Sequence, residues 1–284
     1  MEKVGVIGLG IMGEPMARNL AKAGFKLSLW SRTPHKAQKL VDEGAELCMD
    51  APSLARSVDT LVIMVSAPED LLEVVDKIST TPLHNKTIIN VSTVSPEAVI
   101  TAEKKINQAG GEFLDAPVSG SKGPAIQGSL VFLVGGDKKT VANCRGVLEA
   151  MGSKIVHCGD MGSGSRMKLA INLLLGSFMQ GLAETILFSE KMGLSTDDLL
   201  EVATSGAMAA PMVKLKGEAV AAGDFSAHFP LRHLHKDMQL VLKEAELCNS
   251  PLPAGSKISE ILNGAMELGL GDKDICALYS ALKK

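Results

Sequence analysis

The chain has 284 residues, 46% hydrophobic and 21% charged, with a formal net charge of −3, enough to bury a full core and to form two domains. No basic tract is present and aromatic residues make up 3%, so nucleic acid would find neither phosphate-binding charge nor stacking surface. The cysteines at 48, 144, 158, 248 and 276 are scattered, without C-x-x-C or His-rich spacing, which implies reduced thiols in a cytosol-like compartment and no metal site.

The first predicted strand, 3–7, meets Gly8-Leu9-Gly10-Ile11-Met12-Gly13, three glycines in G-x-G-x-x-G spacing, ahead of a helix over 12–23. In that pattern the first glycine allows a tight turn, the second lets a pyrophosphate approach the backbone, and the third lets helix pack on strand. Free N–H groups at the helix start then face the phosphates. A strand beginning at Lys3 leaves no room for a leader ahead of it, so a cytoplasmic location is expected, with a leader removed from a longer precursor left open. Gly24 reads as the helix C-cap, and 25–30 (FKLSLW) alternates as a second strand.

A preference for the unphosphorylated dinucleotide calls for Asp or Glu about 20 residues beyond the glycines. Ser31, Arg32 and Thr33 stand there instead, and no carboxylate follows until Asp42. Arg32 suits a ribose 2′-phosphate, with two hydroxyls as further donors, so the expected cofactor is NADP(H).

Further strands are predicted at 61–65, 87–91, 112–114, 130–135 and 154–157. Helices are predicted at 34–44, 51–57, 69–78, 96–109 and 137–150. Near-continuous apolar strands alternating with helices imply an α/β fold with a mostly parallel, doubly wound sheet. The strand ends carry Val65-Ser66-Ala67-Pro68, Val91-Ser92-Thr93 and Asp115-Ala116-Pro117-Val118-Ser119-Gly120-Ser121. Such polar residues serve ordinary loops and caps, but beside a glycine loop they suggest the rim of one crevice, where N–H groups near 119–121 hold a small carboxylate.

After Gly162 the strands stop, and 164–192, 195–205, 210–222, 231–248, 253–268 and 272–283 read as helix. The expected domains are therefore 1–162 and 163–284. Residues 169–183, the longest charge-free helical stretch, include Asn172, Ser177 and Gln180 and read as too short and too polar to span a bilayer. Lys168 and Asn172 lie one turn apart on this helix, whose other sides also look apolar, so both are expected inside the protein or in a cleft. The alternative for Lys168 is a side chain that snorkels to solvent. His228, His233 and His235 lack the i, i+4 spacing of a zinc helix, while Lys236 and Asp237 suit a cleft or a solvated face equally.

The chain resembles the β-hydroxyacid dehydrogenase family, the group containing 3-hydroxyisobutyrate dehydrogenase. The resemblance rests on G-L-G-I-M-G at 8–13, S-R-T at 31–33, S-T-V at 92–94, D-A-P-V-S-G at 115–120, G-x-x-x-K at 164–168 with Asn172, and K-D at 236–237. Within the family it is most similar to the glyoxylate/succinic semialdehyde reductases, through S-G-S at 119–121, G-A-M-x-x-P-M at 206–212 and F-P-L-R-H-x-x-K-D at 229–237. Ser121 replaces the second glycine of the 3-hydroxyisobutyrate branch, and Ile171-Asn172 replaces its paired asparagines. Residues 122–124 and 213–216 match neither branch.

The resemblance implies a Rossmann domain, a long connecting helix and an all-α domain, assembled as homodimers or homotetramers. It implies Lys168 as the catalytic lysine with Asn172 as its companion. Thr93 falls near nicotinamide and substrate, Ser119, Gly120 and Ser121 on the substrate carboxylate, and Phe229 and Asp237 at the pocket. Gly8–Gly13, Ser31, Arg32, Thr33, Val65, Ser66 and Lys236 fall on the cofactor. The implied reaction is NADPH-dependent reduction of a short aldehyde or oxo acid, glyoxylate or succinic semialdehyde, with the lysine, its pKa lowered by desolvation, as general acid. The alternatives are 3-hydroxyisobutyrate oxidation or tartronate semialdehyde reduction, and an inactive binding or oligomerisation module.

Overall fold

The computed structural model describes residues 2–283, which divide into two compact units, up to Lys168 and from Leu169 onward. The sequence reading puts the change of character at 162/163; the division falls a turn and a half into the long helix that follows.

In the first unit strands and helices alternate: β1 (Lys3–Ile7), α1 (Gly13–Lys22), β2 (Lys26–Trp30), a 3-10 turn (Pro34–Lys36), α2 (Gln38–Asp42), β3 (Glu46–Leu47), α3 (Ala51–Ser57), β4 (Thr60–Ile63), α4 (Pro68–Ile78), β5 (Thr87–Asn90), α5 (Pro96–Gln108) and β6 (Glu112–Asp115). Then come β7 (Val118–Ser119), α6 (Lys122–Gln127), β8 (Leu130–Gly135), α7 (Lys138–Asn143), α8 (Arg145–Met151) and β9 (Gly152–Gly159). The sheet runs β3-β2-β1-β4-β5-β6-β8-β7, with β9 on β8. Strands β3 to β6 are parallel along this order, and β8 pairs antiparallel with β6 and β7. This is a doubly wound Rossmann sheet whose order reverses beside β1, where open α/β sheets bind ligands.

The strands are apolar on both faces because each is covered twice. Along β4, Val62 joins the core packed under α1, while Leu61 and Ile63 join the core under α3, α4 and α5. The predicted helix over 137–150 breaks at Cys144 into α7 and α8, and 34–44 breaks between the 3-10 turn and α2. Gly24, with φ +91°, sits one residue past the C-cap Ala23 of α1, and Phe25 N–H returns to the Leu20 carbonyl.

The second unit is helical: α9 (Ser163–Lys191), which starts in the first unit, then α10 (Thr196–Ser205), α11 (Pro211–Ala221), α12 (Leu231–Leu247), α13 (Pro253–Glu267), a 3-10 turn (Ile275–Ala277) and α14 (Leu278–Leu282). The single helix predicted over 272–283 is replaced by the last two, because Asp274 caps the turn through Cys276 N–H. Two expectations for α9 need correction. It runs for 29 residues with a mean hydropathy of 1.4 over its most apolar stretch, so by length and composition it is neither too short nor too polar to span a bilayer. It is also not buried all round. Leu169, Met179, Leu182, Ala183 and Ile186 join the core of the helical unit, whereas Met167, Ile171, Leu174 and Phe188 are exposed. Periodicity shows how wide an apolar surface is, not how much of it the chain's own core covers.

Candidate active site

Between β1 and α1 the chain turns at Gly8, whose φ of +96° suits only glycine and where a Cβ would collide with the Met64 carbonyl. A Cβ on Gly13 would strike the Gly8 carbonyl, so this position is fixed by the close approach of helix to strand. At Gly10 a Cβ would meet nothing within 4 Å. The loop is therefore open where the second glycine of the motif faces a pyrophosphate, and α1 begins without a side-chain cap on its N–H groups. These features fit a dinucleotide.

Gly8, Leu9, Gly10, Ser31, Arg32, Thr33, Val65 and Ser66 line one cleft at the C-terminal ends of β1, β2 and β4. Ile11, Met12, Gly13 and Thr93 do not line it. Ser31 Oγ accepts from Thr33 N–H at 3.1 Å, which shapes the turn after β2. Arg32 is 63% exposed and its Nη1 lies 3.0 Å from Asp70 Oδ1, on the first turn of α4. At the next strand ends, the buried Ser92 hydroxyl donates to the Ile63 carbonyl and accepts from Val65 N–H at 2.8 Å, tying β5 to the loop after β4. Half-buried Thr93 follows it.

Gly120, at φ +134°, turns the chain between Ser119 and Ser121, and Ser121 precedes α6 without capping it. The start of α9 is pinned within the same unit. The fully buried Asp115 at the end of β6 accepts from Ser165 N–H and Oγ, each at 2.7 Å. Burial pushes the Asp115 carboxyl up to about 6, against the pull of those two bonds. One turn further along α9, Lys168 is 8% exposed.

In the helical unit Asn172 and Asp237 are buried together, and Asn172 Nδ2 donates to Asp237 Oδ2 at 2.6 Å. This leaves Asn172 Oδ1 as a buried acceptor without a hydrogen-bond partner. Lys236 Nζ lies 2.9 Å from Asp237 Oδ1, an ion-pair contact whose angles do not make it a hydrogen bond. Phe229 stacks on His233 with ring centroids 6.3 Å apart. Its N–H and that of His228 donate to Asp274 Oδ2, while Asp274 Oδ1 accepts from Lys216 Nζ at 2.7 Å. His235 Nε2 pairs with Asn263 Oδ1 at 2.7 Å.

The sequence reading passed over Asp70, Ser165 and Asp274; it placed Ser92 only within the polar rim and Lys216 only in a stretch that matches neither branch. Asp70 had one signal, an acid in the first turn of the helix after β4. Ser92, Ser165, Lys216 and Asp274 are held by partners 27 to 58 residues away, which no local spacing reveals.

Residues 3–159 match the family described as the NAD-binding domain of 6-phosphogluconate dehydrogenase, and 162–282 that described as NAD-binding of NADP-dependent 3-hydroxyisobutyrate dehydrogenase. The chain is 38% identical to the chloroplastic glyoxylate/succinic semialdehyde reductase 2 of Arabidopsis thaliana, over 99% of this chain and 79% of that one. It is 37% identical to reductase 1 of the same plant, over 99% and 98%. A structure of Mycobacterium tuberculosis 3-hydroxyisobutyrate dehydrogenase with L-serine covers both chains fully, with a TM-score of 0.91 and 28% identity.

Proposed function

The chain belongs to the 3-hydroxyisobutyrate dehydrogenase-like family of NAD(P)-dependent oxidoreductases acting on CH–OH groups, and from that premise we propose that it reduces short aldehyde acids, glyoxylate and succinic semialdehyde, with NADPH. The observation that carries the reading is Lys168, 8% exposed on the helix whose next turn presents Asn172.

A nicotinamide bound along the glycine loop would supply hydride to the aldehyde carbon. Negative charge then grows on the carbonyl oxygen, and Lys168 Nζ stabilises it and delivers a proton. Asn172 orients the ammonium or the substrate through Oδ1, since Asp237 holds its amide nitrogen. Ser119, Ser121 and the N–H groups around Gly120 take the substrate carboxylate, and Thr93 and Phe229 bound the reacting end. Arg32 and Thr33 take the 2′-phosphate. Lys236 contacts the cofactor, and the working assembly is a homodimer or homotetramer in a cytosol-like compartment.

The test is the variant Lys168→Ala. Turnover of glyoxylate is expected to fall by about 10²–10⁴-fold, the range of general acid–base participation, with NADPH still binding. Near-normal turnover would remove the role. A panel of glyoxylate, succinic semialdehyde, tartronate semialdehyde and 3-hydroxyisobutyrate, each with both cofactors, settles the substrate. Strong NAD-linked oxidation of 3-hydroxyisobutyrate would displace the reductase reading. Tight NADPH binding without turnover of any small aldehyde would favour a binding module.

A further inference from the structure

The turn after β2 offers Ser31, Arg32 and Thr33 and no acid, yet the folded cleft contains two, Asp70 and Glu73, of which Asp70 pairs with Arg32. Asp70 comes from a different strand–helix unit, in the first turn of α4, and lines the cleft together with Gly8, Gly10, Ser31, Arg32 and Thr33. Its Oδ1 lies 3.0 Å from Arg32 Nη1. The carboxylate is the better shielded partner, 21% exposed against 63% for the arginine. It is also not spent as a cap: Ala67 occupies the N-cap position and α4 has no side-chain cap. The pair thus bridges the turn after β2 to the helix after β4.

We propose that Asp70 is a cofactor-selecting residue that opposes Arg32. The inference rests on reading this cleft as the seat of the cofactor's ribose. A 2′-phosphate draws on the same Arg32 guanidinium that Asp70 holds through Nη1, and sits near a charge of its own sign. A ribose with a free 2′-hydroxyl leaves the pair intact and finds in Asp70 an acceptor of the kind that NAD-preferring sites place after the second strand. The preference for phosphate supplied by Arg32 is therefore held down by Asp70.

The experiment titrates the full chain with 2′,5′-ADP and 5′-AMP, and with NADPH and NADH, in the parent protein, Asp70→Asn and Arg32→Ala. Removing the carboxylate's charge is expected to tighten 2′,5′-ADP about tenfold and leave 5′-AMP within about twofold, so that the NADPH-to-NADH ratio of Kd shifts by about the same factor. Asp70→Ser gives the second readout should the asparagine variant melt early. An equal change for both nucleotides, or a ratio unmoved within about twofold, overturns the inference, because a structural role would move both ligands together. The Arg32→Ala arm separates this from the premise. If it weakens 2′,5′-ADP while Asp70→Asn leaves the ratio unmoved, only the role of Asp70 falls. If it leaves 2′,5′-ADP unchanged, Arg32 does not hold the phosphate and both readings fall.

Discussion

Two buried aspartates end with their carboxyls shifted in opposite senses. Burial pushes the Asp115 carboxyl up to about 6, above its unfolded value of 3.8, and outweighs the bonds from Ser165. Between these values the unfolded chain releases the proton first, so this group's contribution to stability falls as pH rises from 4 to 6 and stays low above. Asp115→Asn keeps the geometry, because its amide can accept from the Ser165 N–H and donate to the hydroxyl. Its stability relative to the parent is expected to rise by ~3 kcal/mol between pH 4 and 7, measured by urea unfolding at each pH. A difference independent of pH would count against it. Burial also works against ionisation of Asp274, but Lys216 and the Phe229 and Cys276 N–H groups outweigh it and hold the carboxyl below its usual range. That contribution is present above pH 3.8 and is lost as pH falls through the lowered value. Lys216→Ala, which strands the carboxylate, is expected to cost ~3–5 kcal/mol at pH 7 and much less at pH 3. Asp115 was visible in the sequence as part of D-A-P-V-S-G, but its use as the anchor of α9 was not, because Ser165 lies 50 residues away.

At the level of elements, the glycine loop was the most legible part of the chain, since a strand, a G-x-G-x-x-G and a helix depend on one another locally. The three glycines are not equivalent, and variants should separate them. Gly8→Ala forces a Cβ onto the Met64 carbonyl at a positive φ, so a lower melting temperature or insoluble protein is expected. Gly10→Ala meets open space, so the fold should keep its melting temperature while NADPH binding weakens at least ~10-fold, as read by nucleotide titration. Loss of stability in Gly10→Ala would show that the loop needs that glycine for itself. Less was legible where an element depends on distant pairing. The two-residue strands β3 and β7 carry no periodicity of their own, and β7 exists because Val118 and Ser119 pair with Phe132 and Val131. The break between α7 and α8 at Cys144 has only Gly146, two residues on, to announce it.

For the whole molecule, the open question is what covers α9. Each unit has its own core, and the helix contributes Leu169, Met179, Leu182, Ala183 and Ile186 to the helical one. Its other face recurs every seven residues as Met167, Leu174, Gly181 and Phe188, with Ile171 between, and all of these are exposed in a single chain. Leu174 and Phe188 are 63% and 65% exposed, on a helix whose lysine and asparagine are buried. A contiguous apolar stripe of this kind marks a contact surface, and a seven-residue recurrence suits a second helix alongside. With a net charge of only −3, little long-range repulsion would oppose a second copy. Light scattering behind size exclusion is therefore expected to give a multiple of the chain mass at micromolar concentration. Leu174→Asp combined with Phe188→Asp should return a single-chain mass without lowering helix content, because both side chains point to solvent in the monomer. A parent protein that already runs as one chain would mean that the stripe serves another partner, and the homo-oligomer proposal would fall.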